Sequence, residues 1–221
     1  AQRDAIDGAL SAFASDTLFA VRSSSPEEDL EGSSFAGGYE TVLGVTRAGI
    51  EAAIKRAFAS CLDARVVVYK RKHGFDVTSP NIAVVVQKQV ASDVAGVGFS
   101  INPVSNDFDE AILNASWGLG ESVVAGLVSP DSYLVDKVKM AITTRQIGHK
   151  ETAIWLTPDG GTEERADPRH DQPSLSDEQA LRVTAELKRI DAIYGKPMDI
   201  EFAFEGGELY LLQARPITSY V

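Results

Sequence analysis

The chain has 221 residues, 44% of them hydrophobic, enough for a substantial core and, by length, one large domain or two closely packed lobes. A formal net charge of -11 argues against broad binding to nucleic acid or to an anionic membrane, since either would repel most of this surface, so any anionic ligand has to be met by a local basic pocket. The single cysteine, Cys61, excludes an intrachain disulfide framework and a cysteine-based zinc cluster and fits a reducing compartment, with the cytoplasm as the default.

Taken in chain order, residues 3 to 14 predict a short helix and Leu18 to Val21 a buried strand. Ser25-Pro26-Glu27-Glu28 then has the marks of a helix start: a capping serine, a proline in the first turn, and a glutamate three residues after the cap. Gly32 to Gly38 reads as loop. From Thr46 to about Lys72 the spacing of Ile50, Ile54, Ala57, Phe58 and Cys61 is helical, with the β-branched run Val66-Val67-Val68 leaving its far end ambiguous. "IAVVVQKQV" and "AGVGFSIN" are strand-like, and the first is too apolar for an edge strand, so both predict sheet buried on two faces.

"EAILNAS" is a further strand, "WGLGE" a glycine-bearing turn, and "SYLVDK" and "MAITTRQIG" strands joined by a polar turn. Residues 156 to 173 collect prolines, glycines and charges and read as a long exposed loop. Ser176 opens a helix to Tyr194, ended by Gly195 and Pro197. "MDIEFAF" and "ELYLLQARPI" flank Glu205-Gly206-Gly207 as a terminal hairpin. The expected class is α+β, in two lobes, 1–100 and 101–221. No stretch reaches the roughly 20 apolar residues that span a bilayer, and the N-terminal run lacks the basic start and apolar middle of a signal peptide. Neither a membrane nor a nucleic acid is expected as a partner.

Chemistry concentrates in the hairpin, because side chains two apart on a strand share a face. Pairing about Gly206-Gly207 would set Glu201 nearly opposite Gln213, presenting a carboxylate and an amide oxygen to one hard cation. Magnesium suits such donors and completes its shell with phosphate oxygens and water. Arg215, a step along the face, would neutralise an adjacent phosphate. The same spacing also suits a plain cross-strand ion pair of Glu201 with Arg215. Arg22, at the end of an apolar run, is either a guanidinium aimed at phosphate under a Gly37-Gly38 loop or simply a strand edge. That loop is no Walker motif, and "WGLGE" lacks the dinucleotide spacing. Gln87, Gln89 and Val90, at a strand end, suit either a heterocycle edge or core strand. His73, His149 and His170 sit at no ligand spacing, so no metal or catalytic role is expected of them. Cys61 lies on the apolar face of its helix, which argues against a nucleophilic role.

"VRSSSPEEDLEGSSFAGGYETVLGV", "VVVQKQV", "NASWGLGESVVAGLVSPDSYLVDK" and "YGKPMDIEFAFEGGELYLLQARPIT" occur in that order. Together they resemble the nucleotide-binding domain of the phosphoenolpyruvate synthase and pyruvate phosphate dikinase family, to which rifampin phosphotransferases are similar. The resemblance covers Phe19 to Thr218 and implies an ATP-grasp fold holding ATP and magnesium. It implies phosphate roles for Arg22 and Arg215, magnesium at Glu201 and Gln213, a phosphate-covering loop that includes Ser33, Ser34, Gly37 and Gly38, and adenine contacts from Gln87, Gln89 and Val90. Members of the family also carry an N-terminal segment with a phosphate-binding lysine, a swivelling domain with a phosphorylated histidine, and in the synthases and dikinases a barrel that binds the acceptor. These parts are not found in the sequence, so it is expected to be the ATP-binding portion of a dikinase-type phosphotransferase, inactive alone. The alternative is a non-catalytic nucleotide-sensing or interaction module.

Overall fold

The computed structural model describes residues 2–25, 29–30, 33–34, 39–77 and 81–217. Two compact units divide the chain, one of Ala1–Gln89 with Leu156–Thr162 and one of Val90–Trp155 with Glu163–Val221. The division thus falls before the expected residue 100, because the strand Val94–Phe99 is an interior member of the second unit's sheet.

In the first unit, α1 (Gln2–Leu10) precedes β1 (Phe19–Ser24), the short ribbon of β2 (Asp29–Leu30) and β3 (Ser33–Ser34), and β4 (Thr41–Val45). Next come α2 (Ile50–Ala59), α3 (Ala64–His73) and β5 (Ala83–Lys88). The three-stranded sheet has the antiparallel order β4-β1-β5. Phe19 and Val21 of β1 are buried with Val45, Ile50, Ala53 and Ala57, and Val84 and Val86 pack against this cluster. Side-chain alternation therefore turns Ala20 and Arg22 to the opposite face. Arg47 donates to the carbonyls of Leu10 at 2.7 Å and Phe13 at 2.8 Å, a cation set at the last residue of α1 and the turn after it.

Several expectations for this unit change, the first being the loop over Gly32 to Gly38, within which Ser33–Ser34 is strand paired with Asp29–Leu30. Of the helix expected from Ser25, residues 26–28 lie outside the described residues; beyond them Asp29–Leu30 is strand, and Ser25 donates its hydroxyl to Asn81 O at 2.9 Å. The long helix after Thr46 is interrupted at Asp63, whose ψ of 143° leaves the helical region. And β5 is an edge strand, apolar because Val84 and Val86 face the core while Val85, 46% exposed, lies on the other face.

In the second unit, β6 (Val94–Phe99), β7 (Glu110–Trp117), α4 (Glu121–Val124), β8 (Asp131–Asp136) and β9 (Ala141–Gln146) follow in turn. β10 (Thr152–Leu156) and β11 (Thr162–Ala166), in this unit except for Leu156 and Thr162, form a small paired ribbon where a long loop was expected over residues 156 to 173. Charge and glycine hid it, since every residue of β11 is exposed and no apolar face marks the strand. α5 (Asp177–Tyr194), β12 (Met198–Glu205) and β13 (Glu208–Pro216) complete the chain. Six strands in the order β13-β12-β6-β7-β8-β9, all antiparallel, make the main sheet.

One face of that sheet is sealed by α5: Val183, Leu187 and Ile190 are buried with Leu113, Ile200 and Phe202. Burial of this apolar stripe, rather than helix propensity, supplies most of the stability of α5. Its ends follow local chemistry. Ser176 Oγ accepts from Gln179 N at 3.1 Å while Gln179 Oε1 accepts from Ser176 N at 2.9 Å, a reciprocal capping box. Gly195 closes the helix at φ 67°, a left-handed conformation costly for residues with a Cβ. Ser176→Ala is expected to lower stability by about 1 kcal/mol, seen as an earlier urea midpoint with an unchanged slope. No helix among the described residues is long and apolar enough to cross a membrane.

Candidate functional site

The other face of the six-stranded sheet is only partly covered. Along β7, Ala111, Leu113 and Ala115 are buried while Glu110, Ile112 and Asn114 between them are half-buried, and β12 repeats this with Asp199 and Glu201. The half-open face therefore carries Asp199 and Glu201, the face opposite α5.

How Glu201 meets Gln213 depends on a break in the hairpin. Gly206 and Gly207, at φ 57° and 84°, form a tight two-residue turn that pairs Glu205 with Glu208. Continued without interruption, this register would place Leu212 opposite Glu201 and leave Gln213 on the face toward α5. Instead the register shifts between Glu201 and Phe202: Phe202 pairs with Leu211, and Glu201 pairs with Gln213. Leu212 is the extra residue of this bulge, and it packs with Val90, Ala95 and Ala203.

The bulge thus sets a carboxylate and a side-chain amide opposite each other on the half-open face. The next pair along is Asp199 with Arg215, whose Oδ2 and Nη2 lie 3.6 Å apart, with the side chains 23% and 19% exposed. Arg215 thus has a cross-strand carboxylate partner in Asp199. Asp199 shares the face of Glu201 by strand alternation but is not among the expected site residues, although the i, i+2 spacing of two carboxylates in "MDIE" is a usable signal. Across the sheet, Glu201 pairs with Val97 and Val97 with Asn114, so a valine stands between Glu201 and the next polar residue of this face.

In the first unit, Arg22 pairs with Thr41 on one side and Val85 on the other, and Gln87 pairs with Ala20. Arg22, Val85 and Gln87 accordingly share the sheet face turned away from α1 and α2. Gln89 N donates to Leu18 O at 2.9 Å, which carries the pairing one step beyond β5. Val90 belongs to the second unit, in the cluster around Leu212. Ser33 and Ser34 form the short strand β3, while Gly37 and Gly38 lie outside the described residues.

The half-open face of this sheet thus carries Glu201, Gln213, Asp199 and Arg215 as neighbours. The chain belongs to the family described as the pyruvate phosphate dikinase AMP/ATP-binding domain, whose profile matches residues 2–220. Among named relatives, a probable phosphoenolpyruvate synthase of Methanocaldococcus jannaschii is 41% identical over 203 residues, 90% of this chain and 17% of the relative. An uncharacterized phosphotransferase of Bacillus subtilis, YvkC, is 43% identical over 202 residues, 90% of this chain and 24% of the relative. A rifampicin phosphotransferase of Streptomyces sviceus is 38% identical over 218 residues, 97% of this chain and 25% of the relative. The chain thus spans a quarter or less of the length of these three proteins. It is an AMP/ATP-binding domain of a family whose named members are phosphotransferases.

Proposed function

We propose that this domain has the ATP-grasp architecture, binds ATP with Mg2+, and presents the nucleotide for transfer of a phosphoryl group to a histidine elsewhere in the whole protein. That histidine would pass it to pyruvate or another acceptor. The observation that carries this reading is the Glu201–Gln213 pair beside Arg215 on the half-open face, in a chain that matches an AMP/ATP-binding family throughout. The donor set fits the ion: carboxylate and amide oxygens are what Mg2+ takes, with phosphate and water filling the rest of its shell. When bound, Mg2+ would neutralise charge on the phosphate chain.

The protein's own groups would do the remainder. Arg215, oriented by Asp199, would offer a planar fork of donors to phosphate oxygens. Arg22 would supply a second guanidinium, and Ser33, Ser34, Gly37 and Gly38 would lie over the phosphates. Gln87, Gln89 and Val90 would line the adenine. Phosphoryl transfer needs mainly positioning and stabilisation of spread charge, which accords with two arginines.

Titration calorimetry with ATP, with and without Mg2+, tests the metal assignment. Glu201→Gln keeps the size but replaces the charge and one acceptor oxygen with an amide NH2, and it is expected to weaken Mg2+-dependent ATP binding about ten- to a hundredfold, the range for losing a charged partner. Binding without Mg2+ should change little. An undiminished response to Mg2+ in Glu201→Gln would remove Glu201 from the site.

A further inference from the structure

A second cluster of ligating side chains stands in the second unit, built from residues far apart in sequence. After β9 the chain runs through His149, Lys150 and Glu151, and alternation buries Lys150 completely while His149 and Glu151 are exposed. The segment after β11 lies alongside: Lys150 N donates to His170 O at 3.0 Å, and Asp167 N to Glu151 O at 3.1 Å. This brings His149, His170 and Asp171 together, with one ligand atom of each within 4.8 Å of the others. His149 Nδ1 is 2.7 Å from Asp171 Oδ1, and His170 Nε2 is 3.2 Å from Asp171 Oδ2. Ligands held about 2.1 Å from one ion lie at most about 4.2 Å apart. Small rotations of these exposed side chains therefore suffice to converge them.

Two features go beyond proximity. The second nitrogen of His149 already has a carboxylate partner, Glu151 Oε1 at 3.1 Å, which is the outer-shell arrangement that fixes the tautomer of a metal-bound imidazole. The backbone beneath is also held in place, by the buried Lys150–Asp131 pair and by Ser174 on Asp131, so the site is presented on an ordered frame.

We propose that His149, His170 and Asp171 form a site for a divalent transition cation, of which Zn2+ is the representative, with Glu151 as the supporting carboxylate. Two imidazoles and one carboxylate select Zn2+, Ni2+ or Cu2+ over Mg2+ and leave a position for water. The site differs in donor type from the all-oxygen pair of Glu201 and Gln213 and stands whether or not that pair holds Mg2+. Its effect would be to fasten residues 149–151 to residues 167–171, the segment whose Arg169 stacks 3.9 Å from the Trp117 ring centre.

The test is calorimetric titration of the 221-residue chain with Zn2+ alone, read beside its melting temperature. The expected result is one saturable equivalent and a Zn2+-dependent rise in melting temperature, both lost in His149→Ala and in His170→Ala. Glu151→Gln should bind about tenfold more weakly, Glu201→Gln should bind as the unaltered chain does, and Mg2+ should not compete. Melts without metal establish that each variant is folded. The proposal is overturned if the unaltered chain shows no saturable Zn2+ binding, or if either histidine variant binds Zn2+ as tightly as the unaltered chain.

Discussion

Asp131→Ala is expected to destabilise the second unit by about 3–5 kcal/mol, the range for removing one partner of a buried ion pair. The side chains of Asp131 and Lys150 are both completely buried, with Nζ and Oδ1 2.5 Å apart. Asp131 also accepts from Gly148 N at 2.9 Å and from Ser174 N and Oγ, each at 2.6 Å. Truncation therefore strands an ammonium group with Gly148 O, at 2.9 Å, as its remaining partner, and orphans donors on two separate segments. The measurement is urea denaturation at neutral pH, comparing the unaltered chain, Asp131→Ala and the double variant Asp131→Leu with Lys150→Met. The double variant should regain only part of the loss, because Gly148 N and Ser174 N stay unsatisfied at about 1–3 kcal/mol each. A single variant within 1 kcal/mol of the unaltered chain on that scale would show that the pair contributes nothing net.

Arg22→Ala is expected to slow phosphoryl transfer roughly 10³-fold in the whole protein, the lower end for an arginine that stabilises charge on a transferring phosphoryl group. This corresponds to about 4 kcal/mol of barrier. The structural reason to expect an effect on chemistry and not on folding is the alternation of β1: Val21 is fully buried in the core, and Arg22 faces away from it. Single-turnover phosphorylation with saturating ATP isolates the step, and thermal melting monitors the fold. Arg22→Lys should recover only part of the rate, since an ammonium keeps the charge but not the fork of donors. Transfer by Arg22→Ala at the unaltered rate would take Arg22 out of the phosphate site.

What could be read without coordinates was what neighbouring residues decide among themselves. The capping serine and glutamine of α5, its terminal glycine, the two-glycine turn of the last hairpin, and the alternation that groups Asp199 with Glu201 are all settled within a few residues. The ordered motifs also pointed to the nucleotide-binding family. Signals failed where the deciding partner is distant. Ser25 has the local chemistry of a helix cap, but its hydroxyl goes to Asn81 O, 56 residues away in sequence, and Asp29–Leu30 is strand. The valines of β5 suggested an interior strand, yet only one of its faces has a core to bury.

The composition and motif order by themselves determined that this chain is an acidic α+β domain of the AMP/ATP-binding family, with its candidate oxygen donors on a terminal hairpin. Only the tertiary structure decided that Glu201 faces Gln213. A regular hairpin about the same turn would have sent Gln213 toward α5, and the bulge at Leu212, seated with Val90, Ala95 and Ala203, reverses that. It likewise decided that His149 and His170 are neighbours. Strand register and loop pairing are set by which distant apolar and charged groups bury together, and a slip of one residue inverts every side chain beyond it.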